Sequence, residues 1–122
     1  RGLSSGNSFL AATDKALDDP ARHAALQDYL ARLAGAQVWA YQHLDSYSKT
    51  LAAIIGFPEG AARLQFERRQ LHWQVIDAKT ISEQQETADF YHAHGLMNQR
   101  LDVGPTFATG FTVPATDSLA QH

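Results

Sequence analysis

A chain of 122 residues, 44% hydrophobic and 19% charged, fits one domain with a modest core and sits inside the globular range, which excludes wholesale disorder. Ten Lys and Arg against thirteen Asp and Glu leave a net charge of −3, so the basic face of a phosphate-backbone binder is not expected. Cysteine is absent, which removes disulfides, thiolate zinc sites and cysteine nucleophiles from these residues, and no apolar run approaches the roughly 20 residues of a bilayer span.

The chain opens at Arg1-Gly2-Leu3, without an initiator Met or a signal peptide, and reads as a piece of a longer protein. Ser4-Ser5-Gly6-Asn7-Ser8 is a run of turn formers. Phe9-Leu10-Ala11-Ala12 follows as a short apolar block, read as an extended segment leading into one helical turn around Thr13–Leu17. Asp19-Pro20 is a helix start: the carboxylate can cap free amides, and Pro at the first helical position loses no hydrogen bond. From there Leu26, Tyr29, Leu30, Leu33, Gln37, Ala40, Tyr41 and Leu44 recur at three- and four-residue steps, the face of a helix of about seven turns. Gly35 inside it marks a candidate close packing contact.

Asp45-Ser46 can cap a second helix, with Tyr47, Leu51, Ile54 and Ile55 inward and Gly56 as its stop. After the turn Phe57-Pro58-Glu59-Gly60, Ala61–Leu71 reads as a third helix with Ala61, Leu64, Phe66 and Leu71 on its apolar positions. His72–Ile76 is an extended connector, Asp77 caps a fourth helix and Gly95 closes it, with Ala88 and Tyr91 turned inward. Beyond Leu101 the glycines and prolines break regular structure, leaving an irregular tail whose aromatics lie over something. The fold class is therefore mainly α, about four helices plus a short extended N-terminal segment.

The histidines invite a metal reading, and helix geometry removes it. His92 and His94 lie roughly 200° apart on a helix and cannot share an ion. Asp89 and His92 have the i, i+3 spacing of carboxylate-bridged bundles, but those need the motif twice with two further carboxylates. The residues instead suit a surface contribution near a helix C-terminus. Arg63, Arg68, Arg69, His72 and Trp73 could meet an anion or a single strand, yet Glu59 and Glu67 interleave them as on a solvated face. Ser5, Gly6, Asn7, Ser8 and Phe9 place hydroxyls, a carboxamide, backbone amides and an aromatic together. Such neutral donors can hold an oxyanion, and a plain turn accounts for the same residues.

The order of these features resembles the C-terminal portion of the periplasmic substrate-binding proteins of ABC importers for aliphatic sulfonates, taurine and nitrate. The similarity runs from Gly6 to Val103. It is carried by the Gly6–Ala12 segment, Asp19-Pro20, the long helix with Leu30-Ala31-Arg32-Leu33-Ala34-Gly35-Ala36-Gln37-Val38-Trp39-Ala40, and Leu51-Ala52-Ala53-Ile54-Ile55-Gly56. It is closest at Ile76-Asp77, Gln84-Gln85-Glu86-Thr87-Ala88-Asp89-Phe90-Tyr91, Gly95-Leu96 and Leu101-Asp102-Val103. Where that family usually has Ile-Pro-Lys, this chain has Leu96-Met97-Asn98-Gln99.

The resemblance implies part of a two-lobe α/β binding protein of type II. Residues 1–12 would be a crossing segment or strand, 13–103 the helical part of a lobe, and 104–122 a tail. It implies capture of a small organic anion without catalysis, metal or cofactor, with Ser5, Gly6, Asn7, Ser8 and Phe9 as ligand-binding residues by position. It further implies docking on a membrane permease, a periplasmic or exported location, and self-association if helices meant for a sheet stand bare. Two alternatives stay open. One is an enzyme on the same fold, similar to sulfinate desulfinases or the pyrimidine-forming enzyme of thiamine synthesis. The other is a free-standing helical interaction domain.

Overall fold

The computed structural model describes residues 6–113. It is mainly α: α1 is Asp14–Asp18, α2 Pro20–Gln42, α3 Leu44–Ile55, α4 Glu59–Arg69 and α5 Ala78–Ala93, followed by a 3-10 turn at Gly104–Thr106. Among the described residues there is no strand, and the expected extended segment at 9–12 carries no regular structure. The chain divides into two compact units, one made of 6–23 and Val75–Phe111, the other of Ala24–Gln74 with 112–113.

Local chemistry sets most helix ends. The Thr13 hydroxyl accepts the Ala16 amide at 3.2 Å and starts α1. One oxygen of Asp19 accepts the amides of Ala21 and Arg22 at 2.9 and 3.2 Å, and Pro20 occupies the first position of α2, where it costs no bond. Asp77 accepts both the amide and the hydroxyl of Thr80, at 2.8 and 2.7 Å. The end of α5 is a full Schellman arrangement: the Leu96 amide reaches the Tyr91 carbonyl at 2.9 Å and the Gly95 amide reaches His92 at 3.1 Å. Gly95 turns left-handed there, with φ of 73°, a conformation that only glycine adopts without penalty.

In the unit built from Ala24–Gln74, α3 packs on α4. The residues that face inward are Ser48 and Ala52 on α3 and Ala62 and Phe66 on α4, all but Phe66 small. Each pair has i, i+4 spacing, so it forms one row along its helix. Phe66 is the single large side chain of the buried set in this unit, which otherwise holds alanines and Ser48. Its ring is stacked on Tyr41 at 4.2 Å and tilted against Tyr47 at 4.5 Å. The Tyr41 hydroxyl donates to the Phe66 carbonyl at 3.4 Å and accepts the Leu71 amide, tying the end of α4 to α2. Gln70 makes the bend by adopting a left-handed φ of 45°. The Ser48 hydroxyl is buried without a hydrogen-bond partner, a cost of about 1–3 kcal/mol to the hairpin.

Several expectations are corrected here. α2 ends at Gln42 rather than running through Leu44, because His43 leaves helical geometry at φ −129° and ψ 49°. α3 then starts at Leu44, ahead of Asp45-Ser46, and its N-cap residue His43 makes no side-chain cap bond. α4 begins two residues before Ala61, at Glu59 behind Pro58. Ile54 and Ile55 do not face inward: Ile54 is 76% exposed, because the Ser48–Ala52 row lets α3 and α4 approach closely and pushes larger side chains to the flanks. Leu64 is exposed on the flank of α4, Leu71 is exposed beyond a helix that ends at Arg69 rather than at Leu71, and Ala62 rather than Ala61 is the buried alanine of α4. Gly35 is exposed with open space where a Cβ would stand, so it marks no close contact.

In the other unit, Thr80, Ala88 and Val103 are buried. Ala88 is inward as expected, whereas Tyr91 stays 45% exposed at the flank.

Candidate functional site

The segment singled out by its donors lies in the unit that contains α5. Of its five residues, Ser5 lies outside the described residues; Gly6, Asn7, Ser8 and Phe9 are exposed and precede α1. Gly6 is left-handed at φ 72°, a backbone conformation that suits glycine. The Phe9 ring meets Phe107 edge to face, 5.3 Å between centroids at 66°. That is the arrangement favoured by the ring quadrupoles. The tail aromatics thus lie over earlier parts of the chain, as expected: Phe111 likewise stacks on His23 at 4.5 Å and 16°.

Phe107 stands on a platform that α5 builds. The Gln85 carboxamide accepts the buried Val103 amide at 2.9 Å and donates to the Leu101 carbonyl at 2.7 Å and to Asp89 at 2.9 Å. Asp89 in turn holds Arg100 through both oxygens, at 2.8 and 3.1 Å, the planar fork geometry that arginine supplies. The Thr106 hydroxyl donates to the Val103 carbonyl at 2.6 Å, and the Phe107 amide closes the 3-10 turn on Gly104 at 3.2 Å. Asp89, Asp77, Gln85 and Arg100 are therefore structural. Sequence reasoning read Gln85 only within a family-like stretch, and no local pattern announces its two backbone partners.

The Arg100 guanidinium, with Gln85 beside it, holds the Asp89 carboxyl below its usual value of 3.8. The Thr80 amide and hydroxyl do the same for Asp77. A carboxyl depressed in the folded state stabilises the fold above its unfolded value, and that contribution fades as pH falls through the folded value. Stability is accordingly expected to be flat above about pH 5 and to decline below about pH 4. Urea midpoints measured across that range should fall less steeply for Asp89→Asn; an unchanged slope would show that the pair is not felt by folding.

The histidines of α5 serve its C-terminus. Nδ1 of His94 donates to the Phe90 carbonyl at 2.8 Å, and Nδ1 of His92 to the Met97 carbonyl at 3.1 Å. Among the described residues no group of three or more His, Asp and Glu side chains is gathered for an ion. Arg63 of the basic cluster is held by Asp45 and by Glu67, the latter at 2.9 Å, so its guanidinium is engaged by carboxylates of its own chain.

Neither of two open grooves among the described residues is lined by Gly6–Phe9. One, of about 460 Å³, is lined by Met97–Leu101; the other, of about 400 Å³, lies at the α2–α3 junction beside Arg63. No helix among the described residues is long and apolar enough to cross a membrane. Comparison with protein-family models, with curated proteins and with solved structures finds no match to this chain.

Proposed function

We propose that this chain is the C-terminal portion of a type II solute-binding protein that captures a small organic anion, an aliphatic sulfonate, taurine or similar, for an ABC importer. The observation that carries this reading is the placement of apolar surface. Alanines fill the interior, with Ala34 and Ala62 at 0% exposure, while Ile54, Ile55, Phe57 and Leu64 stand open. Helices with small buried residues and large exposed ones suit a layer that covers a sheet supplied by the rest of a lobe.

In this reading the segment Ser5–Phe9 crosses between the lobes. Its amides, hydroxyls and the Asn7 carboxamide hold the oxyanion, and neutral donors do so without burying a compensating charge. The chain performs no chemistry and uses no cofactor; the closed protein docks on the permease at the outer face of the membrane.

Calorimetric titration of the complete gene product with taurine, ethanesulfonate and nitrate tests the reading. Binding of at least one is expected, with Asn7→Ala weaker by about 10- to 100-fold, the loss of one hydrogen bond to a charged group. No binding of any of the three overturns it. Consumption of a sulfinate with release of sulfite would move the assignment to an enzyme on the same fold.

A further inference from the structure

We infer that α3 is a lid: it undocks from α4 as one piece, hinged at His43 and Gly56, while α4 stays with α2, whether or not the protein binds an anion.

A lid needs joints, and α3 has one at each end. Before it, His43 leaves helical geometry at φ −129° and ψ 49° and makes no side-chain cap bond; after it, Gly56 turns left-handed at φ 71°. Its neighbour has a separate tether. The Tyr41 hydroxyl of α2 donates to the Phe66 carbonyl and accepts the Leu71 amide, so it brackets the end of α4 without involving α3.

Undocking costs little because the groups that α3 leaves behind keep a partner. Arg63 of α4 binds Asp45 of α3, and it also binds Glu67 of its own helix at 2.9 Å. The Phe66 ring meets Tyr47 of α3 at 4.5 Å, and it also stacks on Tyr41 of α2 at 4.2 Å. The buried residues of α3 itself, Ser48 and Ala52, are both small, so their wetting opposes the motion weakly. Ser48 favours it. Its hydroxyl is buried without a hydrogen-bond partner in the docked helix, and such an unmet group is relieved by water once the helix lifts. Openings of this kind can lie well below global unfolding in free energy.

Native-state amide exchange on the full chain tests the lid. Amides of α3 are expected to be less protected than those of α4 by about 10-fold or more, through an opening smaller than global unfolding. Ser48→Ala should slow exchange in α3 by about 5- to 100-fold, the effect of removing an unmet buried hydroxyl. Ser46 is exposed on the same helix, and Ser46→Ala should slow it by no more than about two- to three-fold, the helix preference of alanine. Tyr41→Phe should quicken α4 by about five- to ten-fold and leave α3 as it was, because the bonds of the Tyr41 hydroxyl survive undocking. Should Ser48→Ala fail to fold, Ser48→Cys keeps the shape with a weaker donor and carries the same direction of change. Three results overturn the lid: α3 protected as well as α4 in the parent, α3 quickening in step with α4 in Tyr41→Phe, or exchange in α3 that the Ser48 variants leave unchanged or hasten.

Discussion

Phe66→Ala is expected to cost about 3–5 kcal/mol, enough to unfold the unit built from Ala24–Gln74. Phe66 is 8% exposed and the one bulky residue in an otherwise small-residue interior, and it carries the ring contacts to both Tyr41 and Tyr47. Removing the ring deletes apolar contact on two sides and leaves a hole that neighbouring alanines cannot fill. The same change also loosens the end of α4, because the Tyr41 hydroxyl is set between Phe66 and Leu71 by that stack. Near-ultraviolet circular dichroism of the tyrosines and urea unfolding would read both effects. Leu64→Ala on the same helix is the comparison: Leu64 is exposed, so its loss should stay within about 0.5 kcal/mol. Equal costs for the two would show that the hairpin does not close on Phe66.

Gln85→Ala should be the most damaging single change in the other unit, at about 2–3 kcal/mol. The side chain satisfies a buried amide at Val103 and the Leu101 carbonyl at once, and it braces Asp89. Alanine leaves the Val103 amide without its acceptor, and an unmet buried donor costs more than a made bond returns. Hydrogen exchange at the Val103 amide is the direct measurement, and it should quicken well before the rest of α5 does. Gln85→Glu keeps the acceptor yet places a carboxylate beside Asp89 and the Leu101 carbonyl, so it should rescue only part of the loss. Full rescue would mean that the donated bonds contribute nothing.

The helix boundaries that a residue announces through its own chemistry could be read from the sequence. Asp19-Pro20, Asp77, Gly56 and Gly95 each solve a local problem, orphan amides or a left-handed turn, with a residue type suited to little else. The break at His43 carried no such signal. The three- and four-residue apolar period runs straight through it to Leu44, and the bend depends on what α3 and α4 do afterwards. The inward face of α3 was misread for a related reason. Size suggests Ile54 and Ile55, but the partner helix selects Ser48 and Ala52, and partner choice is not a local property.

The candidate binding segment had the same character. Gly6, Asn7 and Ser8 could be read from the sequence as turn formers outside regular structure, because hydroxyl, carboxamide and glycine favour turns over helices. The order of the stretch from Leu101 to Phe107 was not legible either: it has no period, and it is held by Gln85 from α5 together with the turn's own Thr106 and Phe107.

The alanine interior has a thermal consequence. Heat capacity rises on unfolding in proportion to the apolar area newly wetted, and alanines release little when they are the residues uncovered. Ile54, at 76% exposure, and Leu96, at 70%, are already wet in the folded chain. The heat-capacity increment of these residues is therefore small for their number, and their stability curve is flat.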